Sequence, residues 1–257
     1  MKVRVLITII IKRYGLWIAA FLVVAVLIFV SRSARKTDLD WRFVNAFGIK
    51  LPMRYGIHGI DVSRHNARID WKKVRQMESE GVRLQFVFVK ATEGATLTDK
   101  YFVKNWREAK KSALRRGAYH FYHPTRDPVK QATNFIRNVT LSKGDFAPVV
   151  DFEVTNGQSH DTIIDGLRLW LETVEEHYGV RPIIYTNGNL YRRYINGNLD
   201  DYPLWIADYS TEHLRNYNPD KLYLWQHSQT GWVQGIRGRV DFNVFVMDEN
   251  TMGEICL

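Results

Sequence analysis

The chain has 257 residues, of which 46% are hydrophobic and 13% aromatic, so it can form one large domain with a buried core or two small ones. The net charge of +9 is concentrated in residues 1–36, which hold seven basic residues and no acidic one, whereas the other 221 residues hold 29 basic and 27 acidic residues. With no zinc-finger spacing and no aromatic-basic RNA motif, this distribution argues against a nucleic-acid partner. The single cysteine, Cys256, cannot form an internal disulfide.

An apolar segment follows a short basic tail. Residues 14–30 carry no charge, a length at the short end for spanning a bilayer and long for the core of a signal peptide. Basic residues are more numerous before this segment than after it, which favours a cytoplasmic N-terminus. We therefore expect a cytoplasmic tail over 1–13, a transmembrane anchor in the lipid bilayer over 14–30, a linker over 31–55, and an exported periplasmic or extracellular domain over 56–257. The alternative is a signal peptide cleaved near residues 31–33, which would give a secreted protein.

From residue 56 onward, strand-like runs alternate with helix-like stretches. Eight short runs rich in β-branched and aromatic residues predict strands at 59–62, 86–90, 117–122, 147–153, 182–186, 203–208, 222–226 and 240–245. Apolar residues at three-to-four spacing predict helices at 70–80, 99–116, 129–141 and 162–178, and a short helix at 190–195. Asp161 is the predicted N-cap of the fourth helix.

This order of elements predicts an α/β fold. Strands that alternate with helices indicate a parallel sheet, and eight of them indicate closure into a barrel. The gaps after the sixth and seventh runs are about 13 residues long and contain Gly, Pro or Asn, so they suit loops better than helical crossovers. We therefore predict an irregular (β/α) barrel of about eight strands and roughly five helices, with the last strands joined by loops, behind an N-terminal transmembrane helix.

Polar or aromatic side chains stand at or just past the C-terminal ends of seven runs. In an α/β barrel, active sites are built at that end of the strands. The side chains are Asp61, Lys90 with Glu93, Tyr122, Asp151 with Glu153, Thr186, Asp208 and Gln226. Their convergence predicts a functional site at this end of the barrel.

The fourth run places two acids close together. Side chains in a strand alternate between faces, so Asp151 and Glu153 point the same way, while Val150 and Phe152 point the other way. Crowding two carboxyl groups raises the pKa of one of them, and a protonated acid beside an ionised carboxylate is the equipment for cleaving glycosidic bonds. The alternative is a strand end whose acids face solvent or pair with Lys and Arg.

Several motifs, spread over residues 56–248, together carry a family resemblance. They are Gly-Ile-Asp-Val-Ser (59–63), Phe-Val-Lys-Ala-Thr-Glu-Gly (88–94), Gly-Ala-Tyr-His-Phe-Tyr (117–122), Val-Asp-Phe-Glu (150–153), Pro-Leu-Trp-Ile-Ala-Asp-Tyr (203–209), Leu-Trp-Gln (224–226) and Val-Asp-Phe-Asn (240–243). In these motifs the chain resembles the glycoside hydrolase family 25 lysozymes, which cleave the β-1,4 bond between N-acetylmuramic acid and N-acetylglucosamine in peptidoglycan. One departure is Ala67, where the family more often has glycine or proline, and it affects a loop.

The resemblance implies roles for particular residues. It implies that Glu153 is the general acid and that Asp151 orients or stabilises the 2-acetamido group of the substrate. It also implies that Asp61 and Asp241 are acids lining the groove. The implied pocket residues are Tyr122, Trp205, Asp208 and Gln226, to which the strand-end pattern adds Thr186 and Glu93. Peptidoglycan glycan strands are the implied partner, and a monomer without cofactor or metal is expected.

Other roles for several residues, and other functions, fit the same sequence. Trp225 and Tyr119 are expected in the core, and Lys90 and Glu93 are expected to form an ion pair. Asp61 and Asp241 can instead cap loops. Two other functions use much of the same pattern: a chitinase-type barrel glycosidase acting on other N-acetylated sugars, and a non-catalytic module that binds the cell wall. An intact pair of acids argues against the second, because binding needs no proton donor.

Overall fold

The computed structural model describes Trp17, residues 21–24, residues 40–211 and residues 213–257. Within these ranges, no helix is long and apolar enough to cross a membrane. The predicted anchor, 14–30, lies outside the described residues except for Trp17 and residues 21–24, and the predicted tail, 1–13, lies wholly outside them.

Twelve strands form in the described part of the chain after residue 40. The first two, β1 (Trp41–Val44) and β2 (Ile49–Pro52), make an antiparallel hairpin. The others belong to a larger sheet: β3 (Ile57–Val62), β4 (Glu78–Ser79), β5 (Val82–Glu93), β6 (Leu97–Thr98), β7 (Arg115–Phe121), β8 (Val149–Phe152), β9 (Ile183–Asn187), β10 (Leu204–Ala207), β11 (Leu222–Gly231) and β12 (Val240–Phe245).

Eight of these strands close a barrel, because β3 pairs with both β5 and β12. The order β3-β5-β7-β8-β9-β10-β11 is parallel throughout, and β12 runs antiparallel to both of its neighbours. The described residues between β10 and β11 and between β11 and β12 include no helix. The predictions of an eight-stranded irregular barrel and of loop-joined last strands are therefore confirmed.

The helices cover the first part of the barrel. They are α1 (Trp71–Gln76), α2 (Phe102–Lys111), α3 (Pro128–Asn138), α4 (His160–Tyr178) and α5 (Gly188–Leu190), the last continued by a π-helical turn at Tyr191–Ile195. The prediction of Asp161 as the N-cap of α4 is wrong, because the helix begins earlier and Oγ of Ser159 accepts the Thr162 amide at 3.3 Å. Asp161 lies instead in the first turn, where a carboxylate interacts favourably with the helix dipole.

Large rings fill the barrel interior below its C-terminal end. Phe86 and Phe88 of β5 point inward, and they lie opposite glycines on the neighbouring strands. A Cβ on Gly59 would lie 2.3 Å from Cδ2 of Phe86, and a Cβ on Gly117 would lie 2.2 Å from Cε1 of Phe88. Because this packing closes the lower barrel, polar side chains can collect only near the upper rim.

The hairpin covers the strands that no helix covers. Phe47, in the hairpin turn, packs edge-on against Phe242 of β12 at 5.3 Å between ring centres, and Trp41 packs likewise against Trp225 of β11 at 5.5 Å. The linker prediction for 31–55 is therefore wrong over residues 41–52, where alternating Val44, Ile49 and Leu51 are buried in the core. The mixed composition of this stretch concealed a pair of very short strands.

Candidate active site

Strand β8 delivers two acids to the upper end of the barrel. Asp151 is the third residue of β8 and points inward, and Glu153 follows the strand on the same side. Val150 and Phe152 point outward into the layer beneath the helices. Asp151 is only 6% exposed, whereas Glu153 is exposed. One strand thus presents a buried carboxyl group and an accessible one, side by side.

A cavity of about 220 Å³ opens at this point. Six of the predicted site residues line it, from five different strands or strand ends: Asp61, Asp151, Glu153, Trp205, Gln226 and Asp241. The cavity is also lined by residues that carry no predicted role in binding: Ser63, His65, Lys90, Tyr119, Phe121 and Tyr185. The convergence expected from the strand ends is therefore present, with a partly different set of residues.

Hydrogen bonds fix Asp61 at the base of the cavity. Its Oδ2 accepts from Nε2 of Gln226 at 2.8 Å and from Nδ2 of Asn243 at 2.8 Å. Asn243 in turn accepts from Nε1 of Trp205 at 2.8 Å. The amide of Gln226 also accepts a hydrogen bond from Tyr185, as that of Asn243 does from Trp205. These bonds hold the indole of Trp205 and the carboxyl group of Asp61 in fixed positions.

Tyr185 connects the accessible acid to this arrangement. Its hydroxyl lies 3.1 Å from Oε1 of Glu153 and 2.9 Å from Oε1 of Gln226, so it can donate to either oxygen. The same oxygen of Gln226 accepts from the hydroxyl of Tyr209. Glu153 is therefore held in place by a phenol, although its other oxygen stays free of protein hydrogen bonds among the described residues.

The electrostatics of the site favour protonated acids. Burial, followed by the negative charge of Asp241, raises the pKa of Asp61 well above its usual range. Burial and the charge of Glu153 do the same for Asp151. Burial also raises the pKa of Asp241 to about 6, with a further contribution from Glu153 that a hydrogen bond with Asp61 opposes. Burial and mutual repulsion thus favour retention of protons by the three aspartates near neutral pH.

Asp151 also has an unsatisfied atom. Its Oδ1 is buried and has no hydrogen-bond partner among the described residues. An unpaired buried acceptor is costly, and a ligand that brings an N–H group to this oxygen would relieve the cost. The end of β8 therefore holds a buried carboxyl oxygen without a partner among the described residues.

Two predicted site residues point to the wrong side of their strands. Tyr122 is buried outside the barrel against α4, where a Cβ on Gly166 would lie 2.4 Å from its hydroxyl oxygen. Thr186 also points outward, and its Oγ1 donates to the carbonyl of Phe152 at 2.7 Å. Their inward-facing neighbours, Phe121 and Tyr185, line the cavity instead. The error is one residue in each case, and strict alternation along β7 and β9 would have corrected it.

Two further predicted residues, Asp208 and Glu93, do not line the catalytic cavity and instead bond to neighbouring protein groups. Asp208 caps the turn after β10, because its Oδ1 accepts from the amides of Ser210 and Thr211. The carboxylate of Glu93 is hydrogen-bonded to Nζ of Lys90 at 2.8 Å and to Nε2 of His123 at 3.2 Å. Burial would raise the pKa of Glu93, but these two bonds lower it below its usual value. The expected Lys90–Glu93 ion pair is thus present, with Lys90 as its cavity-lining member.

Of the two aromatic residues expected in the core, one lies there and the other lines the cavity. Trp225 is fully buried on the outer face of β11 under Trp41, as expected for a core residue. Tyr119 lines the cavity, contrary to the expectation of a core position, because it points into the barrel like Gly117 and Phe121 on the same strand.

Asn243 orients Asp61 but is not among the predicted site residues, although it lies two residues after Asp241 on the same inward face.

Replacing Asp241 with asparagine is expected to stabilise the protein at neutral pH. The pKa of Asp241 is about 6 in the folded protein against an ordinary value of 3.8, so the folded protein binds this proton more tightly than the unfolded chain does. The stabilisation that the bound proton provides is therefore full below pH 3.8 and is lost as pH rises through 6. At about 1.4 kcal/mol per pKa unit, the variant should gain about 1–3 kcal/mol near pH 7.5 and little near pH 4. Thermal unfolding at both pH values measures this, and an equal gain at both would contradict it.

Comparisons with known proteins agree with this geometry. The sequence profile described as Glycosyl hydrolases family 25 matches residues 60–236. YegX, an uncharacterized protein of Escherichia coli K12, is 42% identical over 84% of this chain and 81% of its own. An autolytic lysozyme of Clostridium acetobutylicum is 33% identical over 73% of this chain and 55% of its own. A family 25 glycosyl hydrolase from Bacillus anthracis superposes with a TM-score of 0.72 at 32% identity, over 79% of this chain and 95% of its own.

A barrel with inward-facing carboxyl groups around one open cavity provides the acids that cleavage of a glycosidic bond needs. The profile match spans more than half of the chain, and this protein therefore belongs to glycosyl hydrolases family 25. Within that family it is an enzyme of the lysozyme, or muramidase, type.

Proposed function

We propose that this enzyme hydrolyses the β-1,4 bond between N-acetylmuramic acid and N-acetylglucosamine in peptidoglycan. The observation that carries the proposal is the pair at the end of β8, with a buried Asp151 whose Oδ1 has no partner beside an exposed Glu153. The lysozyme relative from Clostridium acetobutylicum supports the choice of substrate. An N-acetylated sugar brings both groups that the pair requires, namely a glycosidic oxygen and an amide N–H.

Glu153 acts as the general acid. Its carboxyl group is the accessible one of the pair, and Tyr185 holds one of its oxygens at 3.1 Å, which leaves the other to face the glycosidic oxygen. Proton transfer to that oxygen lets the leaving sugar depart as an alcohol. Glu153 is then ionised and can accept a proton from the water that completes hydrolysis, which restores the acid.

Asp151 assists the acetamido group of the substrate. The carbonyl oxygen of that group attacks the anomeric carbon as the glycosidic bond breaks, and positive charge develops on the amide. Oδ1 of Asp151 accepts the amide N–H, which orients the nucleophile and stabilises the developing charge. Water then attacks the anomeric carbon, and the acetamido group is released unchanged.

The remaining cavity residues position the sugar. Asp61 and Asp241 turn carboxyl oxygens towards the place where the oxocarbenium-like positive charge develops, and Gln226 fixes Asp61 through a 2.8 Å hydrogen bond. Trp205 presents an indole whose orientation is set by Asn243, so that a sugar ring can pack against it. Tyr122, Thr186, Asp208 and Glu93 have no place in this scheme, because their contacts lie elsewhere.

Analysis of the reducing ends released from purified peptidoglycan tests the substrate assignment. The full chain should clear cell-wall suspensions and release fragments that end in N-acetylmuramic acid. Fragments that end in N-acetylglucosamine would indicate a glucosaminidase. Cleavage of chitin oligosaccharides at the same rate as peptidoglycan would support the chitinase-type alternative and contradict the proposal.

We further propose that residues 14–30 anchor the enzyme as a single-pass membrane protein with its barrel exported, and that it acts as a monomer. The uncharged run of residues and the excess of basic residues before it support this orientation. The enzyme should sediment with membranes, and protease added outside the cytoplasmic membrane should digest the barrel. Recovery of a shortened, soluble form would support a cleaved signal peptide instead. Light scattering of the purified chain should give the monomer mass.

A further inference from the structure

A second cavity lies on the upper rim of the barrel, outside the catalytic one. Its volume is about 450 Å³, and it lies between the N-terminal hairpin, the segment after β10 and the end of β11. We call it the rim cavity and define it by Trp41, Lys50, Tyr209, His227, Ser228 and Thr230. None of these residues lines the catalytic cavity.

The rim cavity lies next to the catalytic site, with Tyr209 between them. Tyr209 lines the rim cavity, and its hydroxyl donates to Oε1 of Gln226, which lines the catalytic cavity. Tyr209 is 48% exposed, so a ligand that extends from one cavity to the other can contact it. A polymer bound across the barrel mouth could therefore contact Tyr209 and the rim cavity beside it.

The side chains of the rim cavity suit a sugar. Trp41 and Tyr209 offer aromatic surfaces against which the C–H face of a pyranose ring can pack. Ser228 and Thr230 offer hydroxyl groups, and Lys50 offers an exposed ammonium group, for the polar edge of the ring. A wall with this mixture of aromatic surface and polar groups suits a carbohydrate better than a lipid chain.

His227 adds a polar group with no partner. It is 4% exposed, it lies edge-on to Trp41 at 5.8 Å, and neither of its ring nitrogens has a hydrogen-bond partner among the described residues. Burial lowers the pKa of this imidazole to about 3, so it stays neutral at physiological pH. Two buried nitrogens without partners are costly, and a small rearrangement that let a ligand hydroxyl reach one of them would relieve that cost.

The hairpin gives this chain a surface outside the family's matched segment. The profile match begins at residue 60, whereas Trp41 and Lys50 belong to β1 and β2. We propose that the rim cavity is an accessory glycan subsite, which binds a pyranose ring of the same strand several units from the bond that is cleaved. This inference rests on the proposed function, since it assumes a glycan in the catalytic cavity.

The subsite predicts a dependence on glycan length, which hairpin variants should abolish. The probes are peptide-free tetrasaccharides and octasaccharides of alternating N-acetylglucosamine and N-acetylmuramic acid, cleaved by the full chain. Trp41→Ala should reduce the preference for the octasaccharide, measured as the ratio of the two kcat/KM values, by about five- to tenfold. The loss should lie in KM, since the reacting groups are untouched.

Two further variants separate binding from stability. Phe43→Ala removes an aromatic side chain that is 52% exposed on the same strand but lies outside the rim cavity, and it should leave the ratio unchanged. Trp41 also packs on Trp225, so Trp41→Ala can loosen the hairpin. Thr230→Trp keeps that packing and instead fills the rim cavity from an exposed position, and it should reduce the ratio to the same extent.

Each outcome decides the proposal. A wild-type enzyme that cleaves neither oligosaccharide would refute the proposed function itself. Normal cleavage with an unchanged length preference in Thr230→Trp would overturn only the subsite. An effect that appears with peptide-bearing glycans but not with peptide-free ones would also overturn it, because the occupant would then be the stem peptide.

Discussion

Replacing Glu153 with glutamine is expected to lower kcat by about 10²- to 10⁴-fold, the range typical of a lost general acid. Glutamine has nearly the same shape and can still accept the Tyr185 hydrogen bond that Glu153 accepts at 3.1 Å. It cannot give a proton to the glycosidic oxygen, so the leaving sugar would have to depart as an alkoxide. Substrate binding should change little, and the loss should therefore appear in kcat rather than in KM.

A matched substitution controls for the loss of a glutamate charge. Glu176 is exposed on α4 and takes no part in the catalytic cavity, so Glu176→Gln should retain the wild-type rate. Cell-wall clearing and oligosaccharide kinetics measure both variants, and circular dichroism checks their folding. A Glu153→Gln variant that clears walls at the wild-type rate would exclude Glu153 as the acid.

Replacing Asp151 with asparagine should lower activity and raise stability together. Asparagine can turn its NH₂ group instead of its oxygen to the acetamido N–H, and it cannot ionise as positive charge develops on the amide, so we expect a loss of about 10²- to 10³-fold in kcat. Burial raises the pKa of Asp151 well above its usual range, so the ionisation of this residue in the unfolded chain favours unfolding at neutral pH. Asparagine removes that penalty, because it does not ionise.

Measuring activity and thermal stability together distinguishes a functional acid from an ordinary buried one. Thermal unfolding near pH 7.5 should show a higher Tm for Asp151→Asn than for the wild type, with the difference shrinking towards pH 4, where the unfolded chain also binds the proton. Asp165→Asn, at an exposed position on α4, should change neither the Tm nor the rate. A destabilised Asp151→Asn variant with full activity would show that Asp151 has a structural role only.

The barrel could be predicted from sequence because its signals are local. All eight predicted runs correspond to barrel strands, and 240–245 matches β12 at both ends. The short gaps around β11 predicted loops because a parallel crossover needs more residues. The hairpin was not predicted, because four-residue strands carry little periodicity and because the hairpin packs on the barrel through contacts such as that of Phe47 with Phe242, nearly 200 residues away along the chain.

Site residues could be predicted where the prediction takes into account that side chains alternate between the two faces of a strand. For Asp151 and Glu153, two-residue spacing placed both acids on one side of β8, and both line the cavity. For Tyr122 and Thr186, the prediction rests on position at a strand end and not on alternation, and both side chains point outward. Contacts such as Asn243 with Asp61 join residues 182 positions apart, so only the closed barrel brings them together.

A crystal structure of Glu153→Gln with a bound peptidoglycan tetrasaccharide tests the central claim most directly. We expect an uncleaved glycan in the catalytic cavity, with residue 153 beside the glycosidic oxygen and the acetamido N–H within hydrogen-bond distance of Oδ1 of Asp151. A glycan whose scissile bond lies away from the end of β8, or an acetamido group turned away from Asp151, would contradict it.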